Sequence, residues 1–183
     1  MTTDRKFAAF SKSQAKDFPS FRMREIPDGG FCLSTFLVIT DDKNPERVLV
    51  GRLNPSARWD HIGALDEGRI NVHSKGWMLP SSHLIIHESP QEAARRILQE
   101  QLGIEAIALS DPKVISEVYD SAYSSLPRHW DIGFIFRGTL TEAPKSEAWT
   151  ELRFIEPSKT PRTEMARSHQ DILEYAGFKF LND

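Results

Sequence analysis

Between residues 89 and 103 the chain carries a complete set of helix-boundary signals. Ser89 is a good N-cap, Pro90 suits the first helical position, and Glu92 completes a capping box with the serine. Gly103 ends the pattern, because glycine readily adopts the left-handed conformation that closes many helices. The sequence therefore predicts a helix over residues 89–103, and the rest of the fold has to pack around it.

Several other segments are rich in β-branched and aromatic residues, which predicts strands. The segments 31–40 and 47–53 are separated by the turn sequence DDKNPE and predict a hairpin. In the segments 31–40 and 129–140, apolar residues occur at both odd and even positions. Both faces of the predicted sheet must therefore be covered by other elements. We therefore predict an α/β protein, a three-layer α/β/α sandwich with a mixed sheet. The remaining predicted elements are strands at 114–120 and 148–156 and a helix at 168–178.

Two long segments lack this periodicity. Residues 1–28 are mostly polar but carry four phenylalanines, and they predict an N-terminal arm that packs either on its own domain or on a second subunit. Residues 54–76 carry proline, glycine and polar residues with little periodicity. A connection of that length inside a compact domain is more often functional than idle, so we expect it to contribute to a site.

Composition limits the classes of function. A chain of 183 residues is long enough for one domain with a substantial core. Its net charge of −3 and pI near 6.1 argue against a protein whose main partner is a nucleic acid. Cys32 is the only cysteine, which excludes an internal disulfide and fits a reducing cytosol. Since neither a signal sequence nor a membrane-spanning run is apparent, we expect a cytoplasmic protein with no membrane partner.

The run from Ser82 to Ile104 resembles the Nudix box, whose pattern is G-x5-E-x7-R-E-U-x-E-E-x-G-U, with U a bulky aliphatic residue. Ser82 replaces the first glycine, Ile97 the first helical glutamate, and Gln101 the last one. The resemblance implies a Nudix-type α/β/α sandwich with a mixed β-sheet, with residues 1–28 as an arm and 29–183 as the Nudix-like domain. The other six of the nine specified positions match: Glu88, Arg96, Leu98, Glu100, Gly103 and Ile104.

The resemblance also implies a metal-dependent pyrophosphohydrolase that acts on a nucleoside-diphosphate-linked substrate with Mg or Mn. Hard divalent cations need several oxygen ligands, of which carboxylates also offset the charge. Ile97 and Gln101 lie one turn apart on the same helix face and remove two carboxylates from it. Glu100 and Glu88 remain as the predicted catalytic and metal-binding residues. The expected activity is weak or lost, and the alternative is a non-catalytic, metal-free module that senses a nucleotide or contacts another protein.

Three residues are candidates for substrate binding. Arg52 has the chemistry to clamp a phosphate, Trp59 to stack on a base, and Arg96 to orient a glutamate or the substrate. Two of them have a structural alternative, which is core packing for Trp59 and a surface ion pair with Glu100 for Arg96. The expected partner is a small-molecule nucleotide derivative, and family habit together with the arm suggests a homodimer.

Other groups offer replacements for the missing acids. His83 and His87 precede Glu88 and form a candidate set for a softer metal, although histidines in such loops are more often simply hydrogen-bonded. A further alternative is that the resemblance arises from helix-building residues alone. Carboxylates of the later strands are also candidates to reach the site: Glu117, Asp120 and Asp131.

Overall fold

The computed structural model describes residues 7–10, 20–21, 31–119 and 129–181, with the side chains of 31–118 and 130–181. Two short 3-10 turns, Pro157–Lys159 and Arg162–Glu164, precede the last helix. The strands are β1 (Phe7–Phe10), β2 (Ser20–Phe21), β3 (Phe31–Asp41), β4 (Val48–Leu53), β5 (Ser81–His83), β6 (Lys113–Tyr119), β7 (His129–Leu140) and β8 (Trp149–Ile155). The helices are α1 (Trp59–Ile62), α2 (Glu67–His73), α3 (Pro90–Leu102) and α4 (His169–Tyr175).

Strand β3 is the centre of the sheet. It pairs in parallel with β7 along its whole length, from Phe31 opposite Trp130 to Asp41 opposite Leu140. Its other edge pairs antiparallel with β1, β5 and β4 in turn. The sheet extends further because β4 pairs with β8 and β7 pairs with β6, both antiparallel. The mixed sheet and the hairpin of β3 and β4 are therefore confirmed.

Alternate residues of β3 face opposite layers, as the pleat of a strand requires. Leu37 belongs to the apolar cluster that packs against α3. Phe36 belongs to the cluster that packs against Ile172 and Leu173 of α4. Each fully buried aliphatic side chain of this kind stabilises the fold by about 1.5–3 kcal/mol. The predicted three-layer α/β/α sandwich is confirmed, with α3 on one face of the sheet and α4 on the other.

Helix α3 begins and ends where the local signals place it. The Ser89 side chain accepts from the Glu92 amide at 3.2 Å, and the Glu92 carboxylate accepts from the Ser89 amide at 2.8 Å. Gly103 has a φ of 68° and donates its amide to the last turn. The predicted capping box and glycine stop are both confirmed.

The connection at 54–76 contains two short helices that its weak periodicity does not predict. Trp59 opens α1 and is fully buried, donating its indole N–H to the carbonyl of Ala148 at 3.2 Å. Asp66 caps α2 by accepting from the amide of Arg69 at 2.9 Å. Helices this short draw their stability from tertiary packing, which a local pattern does not reveal.

Little of the predicted N-terminal arm lies within the described residues. Strand β1 pairs with β3 of its own chain, with Ala9 opposite Cys32 and Phe10 opposite Phe31. The arm's contact with a second subunit therefore stays a prediction, as does the domain boundary near residue 28. Within the described part of the chain, no helix combines the length and apolar content needed to cross a membrane.

Candidate functional site

Position 97 of α3 faces the protein interior. Ile97 is 0% exposed and belongs to the apolar cluster with Leu37, Ile39 and Phe136. A carboxylate at this position would enter a hydrophobic layer, where an unpaired charge is strongly destabilising. The isoleucine is therefore part of the core.

Gln101, one turn further along α3, is also 0% exposed. Its side-chain oxygen accepts from the amide of Ser81 at 3.0 Å. Its side-chain nitrogen donates to the carbonyl of Ser81 at 2.8 Å and to the carbonyl of Ile62 at 2.9 Å. Both hydrogens of the amide are thus in use, and the side chain ties α3 to β5 and to the end of α1.

Glu88, in the loop before α3, and Arg96, in the middle of the helix, form a nearly buried ion pair. Two guanidinium nitrogens of Arg96 donate to the two oxygens of Glu88, at 2.6 and 2.7 Å. The side chains are only 12% and 10% exposed, respectively. Glu88 also accepts from the amide of Ile85 at 2.8 Å, and Arg96 donates to the carbonyl of His83 at 3.0 Å. The pair therefore fixes the loop between β5 and α3.

Glu100 is the most accessible acid of this helix among the predicted ligands. Its side chain is 27% exposed and lies 4.0 Å from a guanidinium nitrogen of Arg96. The predicted pairing of Arg96 with Glu100 is thus longer than its pairing with Glu88. The structure links the three residues along α3 through Arg96, with Ile97 and Gln101 turned into the protein.

Comparison with known proteins decides the family. The model of the NUDIX domain matches residues 31–176, which is most of the chain. The chain belongs to the Nudix family. A search of curated proteins gave no significant match.

Solved Nudix structures share the fold at low sequence identity. The MutT protein from Methanosarcina mazei Go1 is 16% identical, with a TM-score of 0.56, over 82% of this chain and 95% of that one. The NUDIX domain of Shewanella oneidensis NrtR, solved with ADP ribose, is 14% identical, with a TM-score of 0.52, over 80% and 86%. The dihydroneopterin triphosphate pyrophosphohydrolase of E. coli is 12% identical, with a TM-score of 0.50, over 78% and 95%.

The side chains of this α3 offer a divalent metal of the kind that Nudix hydrolases use fewer carboxylates than the box specifies. Both oxygens of Glu88 are engaged by Arg96, and the amide of Gln101 is held by backbone groups. No group of three His, Cys, Asp or Glu residues in the described part of the chain is placed to hold a metal ion. A hard cation needs several convergent oxygen ligands. The assignment of Glu88 and Glu100 as metal ligands and catalytic residues stays a prediction.

The predicted substrate-binding residues each contact different groups in this Nudix domain. The Trp59 ring is buried and packs edge-to-face on Trp149, so stacking on a base requires α1 to move. The guanidinium of Arg52 lies 4.3 Å from the centre of the Trp77 ring, as does that of Arg153. These contacts are structural, and the substrate roles of Arg52, Trp59 and Arg96 stay predictions.

A second group of polar side chains lies on the face of the sheet that α4 covers. The Ser34 hydroxyl donates to a carboxylate oxygen of Asp131 at 2.8 Å and lies 3.1 Å from Nδ1 of His83. Since the single hydroxyl hydrogen goes to Asp131, the ring nitrogen is the donor in the second bond. Burial raises the pKa of Asp131 to about 6. His83, a candidate metal ligand, is thus buried and hydrogen-bonded to Ser34.

Of the other candidate ligands, His87 lies in the turn before Glu88 with a φ of 68°. Glu117 lies opposite Asp131 in the pairing of β6 with β7. Asp120 lies outside the described residues. Arg69, a buried residue of α2, is not among the predicted site residues, because the local pattern does not indicate which side of so short a helix is buried.

His169 predicts a measurable pH dependence of stability. It is 1% exposed, its Nδ1 accepts from the amide of Leu79 at 2.9 Å, and burial holds its pKa well below the usual value. Above pH 6.5 both the folded and the unfolded chain hold a neutral ring, so this group adds no pH dependence there. As the pH falls below 6.5 only the unfolded chain takes up the proton, and stability falls by about 1.4 kcal/mol per pH unit for one such group.

The variant His169→Asn isolates this contribution, because the asparagine oxygen can still accept from Leu79. We expect its free energy of unfolding, measured in urea between pH 6.5 and 4.5, to depend less steeply on pH than that of the wild type. Asp131 acts in the opposite direction in both proteins, since its raised pKa makes the folded chain bind a proton first as the pH falls through 6. Identical pH slopes in the two proteins would contradict the assignment.

Proposed function

We propose that this Nudix-fold chain binds a small nucleotide derivative and has lost the family's metal-dependent pyrophosphohydrolysis. One observation carries the proposal: the Gln101 amide is saturated by the backbone groups of Ser81 and Ile62. In the Nudix box this position holds a carboxylate. Here the side chain has to donate two hydrogen bonds, which an ionised carboxylate cannot do.

The same bonds close the space beside the helix. Ile62 is the last residue of α1, which belongs to the connection at 54–76, so this connection packs against α3 at the position of the missing acid. Ile97 completes the change by adding an apolar side chain to the core. These contacts support a structural use for the two altered positions of the box.

Binding of a nucleotide derivative is supported by the fold neighbours. The NUDIX domain of NrtR was solved with ADP ribose, and the E. coli neighbour is named for a pterin triphosphate. Binding in a cleft does not need the full acid cluster, because hydrogen bonds and apolar contacts supply affinity without a metal. ADP ribose is therefore a reasonable first probe for this chain.

A second candidate function is slow hydrolysis with Mg or Mn, using Glu100 and Glu88. The partial exposure of Glu100, at 27%, favours it, because this carboxylate is reachable from solvent and is linked to Glu88 through Arg96. Under this candidate Glu100 holds the metal and Glu88 assists. The two candidates make opposite predictions for turnover.

The purified chain should be incubated with ADP ribose, dinucleoside polyphosphates and nucleotide sugars, each with Mg, with Mn and with EDTA. We expect no products above the protein-free control, together with ADP ribose binding by calorimetry that EDTA does not change. The comparison includes Glu100→Gln and, as a matched exposed control, Glu105→Gln. Metal-dependent turnover that Glu100→Gln abolishes and Glu105→Gln preserves would overturn the proposal in favour of slow hydrolysis. Absence of any binding would also overturn it.

A further inference from the structure

The outer edge of β6 has no strand partner among the described residues. β6 spans Lys113–Tyr119 and pairs with β7 along one edge. The strand pairings of the described chain give its other edge no neighbour, so the outward backbone N–H and C=O groups of β6 have no ladder to join there. An open edge of this length is a template on which a further strand can add.

The exposed side chains of this edge include two valines. Val114 and Val118 are 59% and 53% exposed, which is high for a residue type that is usually buried. They stand opposite Phe134 and Trp130 of β7, on the face of the sheet where Phe134 packs against the apolar cluster under α3. A further strand beside β6 would shield both valines, because directly opposite side chains on one face lie about 5 Å apart.

The other face of β6 carries one charge of each sign. Lys113, Ile115 and Glu117 are two residues apart, so they lie in line on that face. Ile115 is 7% exposed and packs in the apolar cluster with α4, while Lys113 is exposed and Glu117 is partly so. The edge is therefore positive towards the start of β6 and negative towards its end.

Both charged groups also interact with Tyr175 of α4, and both keep capacity for a further partner. The Lys113 ammonium donates to the Tyr175 carbonyl. The charge of Glu117, together with a hydrogen bond, raises the pKa of the Tyr175 hydroxyl. An ammonium has three donors and a carboxylate has two acceptor oxygens. A charged group from a neighbouring strand can therefore add to these contacts.

Charge selects the register in which β6 could pair with a second β6. Two antiparallel copies related by a two-fold axis normal to the sheet must centre on a residue, because directly opposite side chains share a face. Centring on Glu117 would place this acid opposite itself, and centring on Val114 would place it opposite Asp111. Centring on Ile115 places Lys113 of each copy opposite Glu117 of the other.

We propose that two copies of this chain associate by antiparallel pairing of their β6 strands, centred on Ile115, so that the two sheets become one. A second copy fits this edge because β6 itself supplies both complementary charges in the required order, twice per interface. The valines add to it, since Val114 of one copy stands diagonal to Val118 of the other. This surface is separate from β1 of the N-terminal arm, which pairs on the far side of β3. The inference does not rest on the proposed function.

Sedimentation velocity of the full chain, between about 1 and 200 µM in low salt, measures the association. We expect a reversible dimer whose dissociation constant rises about tenfold in Lys113→Glu and in Glu117→Lys, because each variant turns two attractive pairs into two repulsive ones. A wild type that stays monomeric over this range would overturn the proposal. A dimer that both variants retain would also overturn it, since its interface would lie elsewhere.

Mixing the two variants distinguishes the interface from damage to the fold. In a mixed dimer the strand with two acids faces the strand with two lysines, so both cross-strand pairs attract again. We expect the equimolar mixture of Lys113→Glu and Glu117→Lys to associate about as tightly as the wild type, although neither variant does so alone. The double variant Lys113→Glu with Glu117→Lys should likewise dimerise with itself. A mixture that associates no better than its components would contradict the proposed pairing.

Exposed charges outside β6 serve as matched controls. Lys145→Glu and Glu105→Lys make the same changes at exposed positions and should keep the dissociation constant of the wild type. Circular dichroism of all variants checks that the fold is intact. A loss of association in the controls equal to that in the β6 variants would show that net charge, rather than this strand edge, governs the dimer, and the proposal would fail.

Discussion

Replacing Ile97 with glutamate, which restores the family's residue, should lower the free energy of unfolding by about 3–5 kcal/mol. Ile97 is 0% exposed and lies in the apolar cluster between α3 and the sheet. The new carboxylate would be buried without a partner, and the aliphatic contacts of the isoleucine would be lost. Urea denaturation followed by circular dichroism measures the change.

Two further variants separate charge from size. Gln99→Glu adds the same charge to an exposed position of α3 and should change stability by less than about 0.5 kcal/mol. Ile97→Val keeps the position apolar and should cost about 0.5–1.5 kcal/mol. If Ile97→Glu were instead as stable as the wild type and bound Mn more tightly, position 97 would have to face the site rather than the core.

Replacing Arg96 with methionine should produce a loss of similar size, about 3–5 kcal/mol. The change leaves Glu88 as a nearly buried carboxylate without its guanidinium partner, and it also removes the donor to the carbonyl of His83. Breaking one side of a buried pair is costly because the remaining charge is still desolvated. The free energy of unfolding in urea is again the measurement.

The neighbouring residue provides a matched control for Arg96. Arg95 is exposed on the same helix, and Arg95→Met should be close to neutral. In the double variant Arg96→Met with Glu88→Gln, the orphaned charge is removed, so part of the stability should return. A single Arg96→Met variant that unfolds like the Arg95→Met control would show that the ion pair contributes little.

The parts of the fold that the sequence predicts well are those governed by neighbouring residues. The ends of α3 follow from Ser89, Glu92 and Gly103, which act within one turn of each other. The strands that are buried on both faces are predicted from their own residues, since apolar side chains at both odd and even positions require packing on both faces. The Nudix box also predicts the family, because its residues have a fixed spacing across the loop and the helix.

The parts that the sequence does not predict depend on distant contacts. The box predicts Gln101 as a weakened metal ligand. Its structural role depends on a hydrogen bond to the carbonyl of Ile62, 39 residues away, which no local pattern reveals. The bond between Ser34 and Asp131 joins residues 97 apart through the parallel register of β3 and β7. Strand β5 is not predicted, because three residues are too few to show a strand pattern.

The position of β3 also governs the order in which the chain can assemble. Its parallel partner β7 begins at residue 129, so during synthesis β3 emerges long before the strand that covers one of its edges. Until then its backbone N–H and C=O groups on that edge face solvent, where they are open to pairing with other chains. Completion of the sheet therefore waits on a contact about a hundred residues away, and such non-local pairing slows folding.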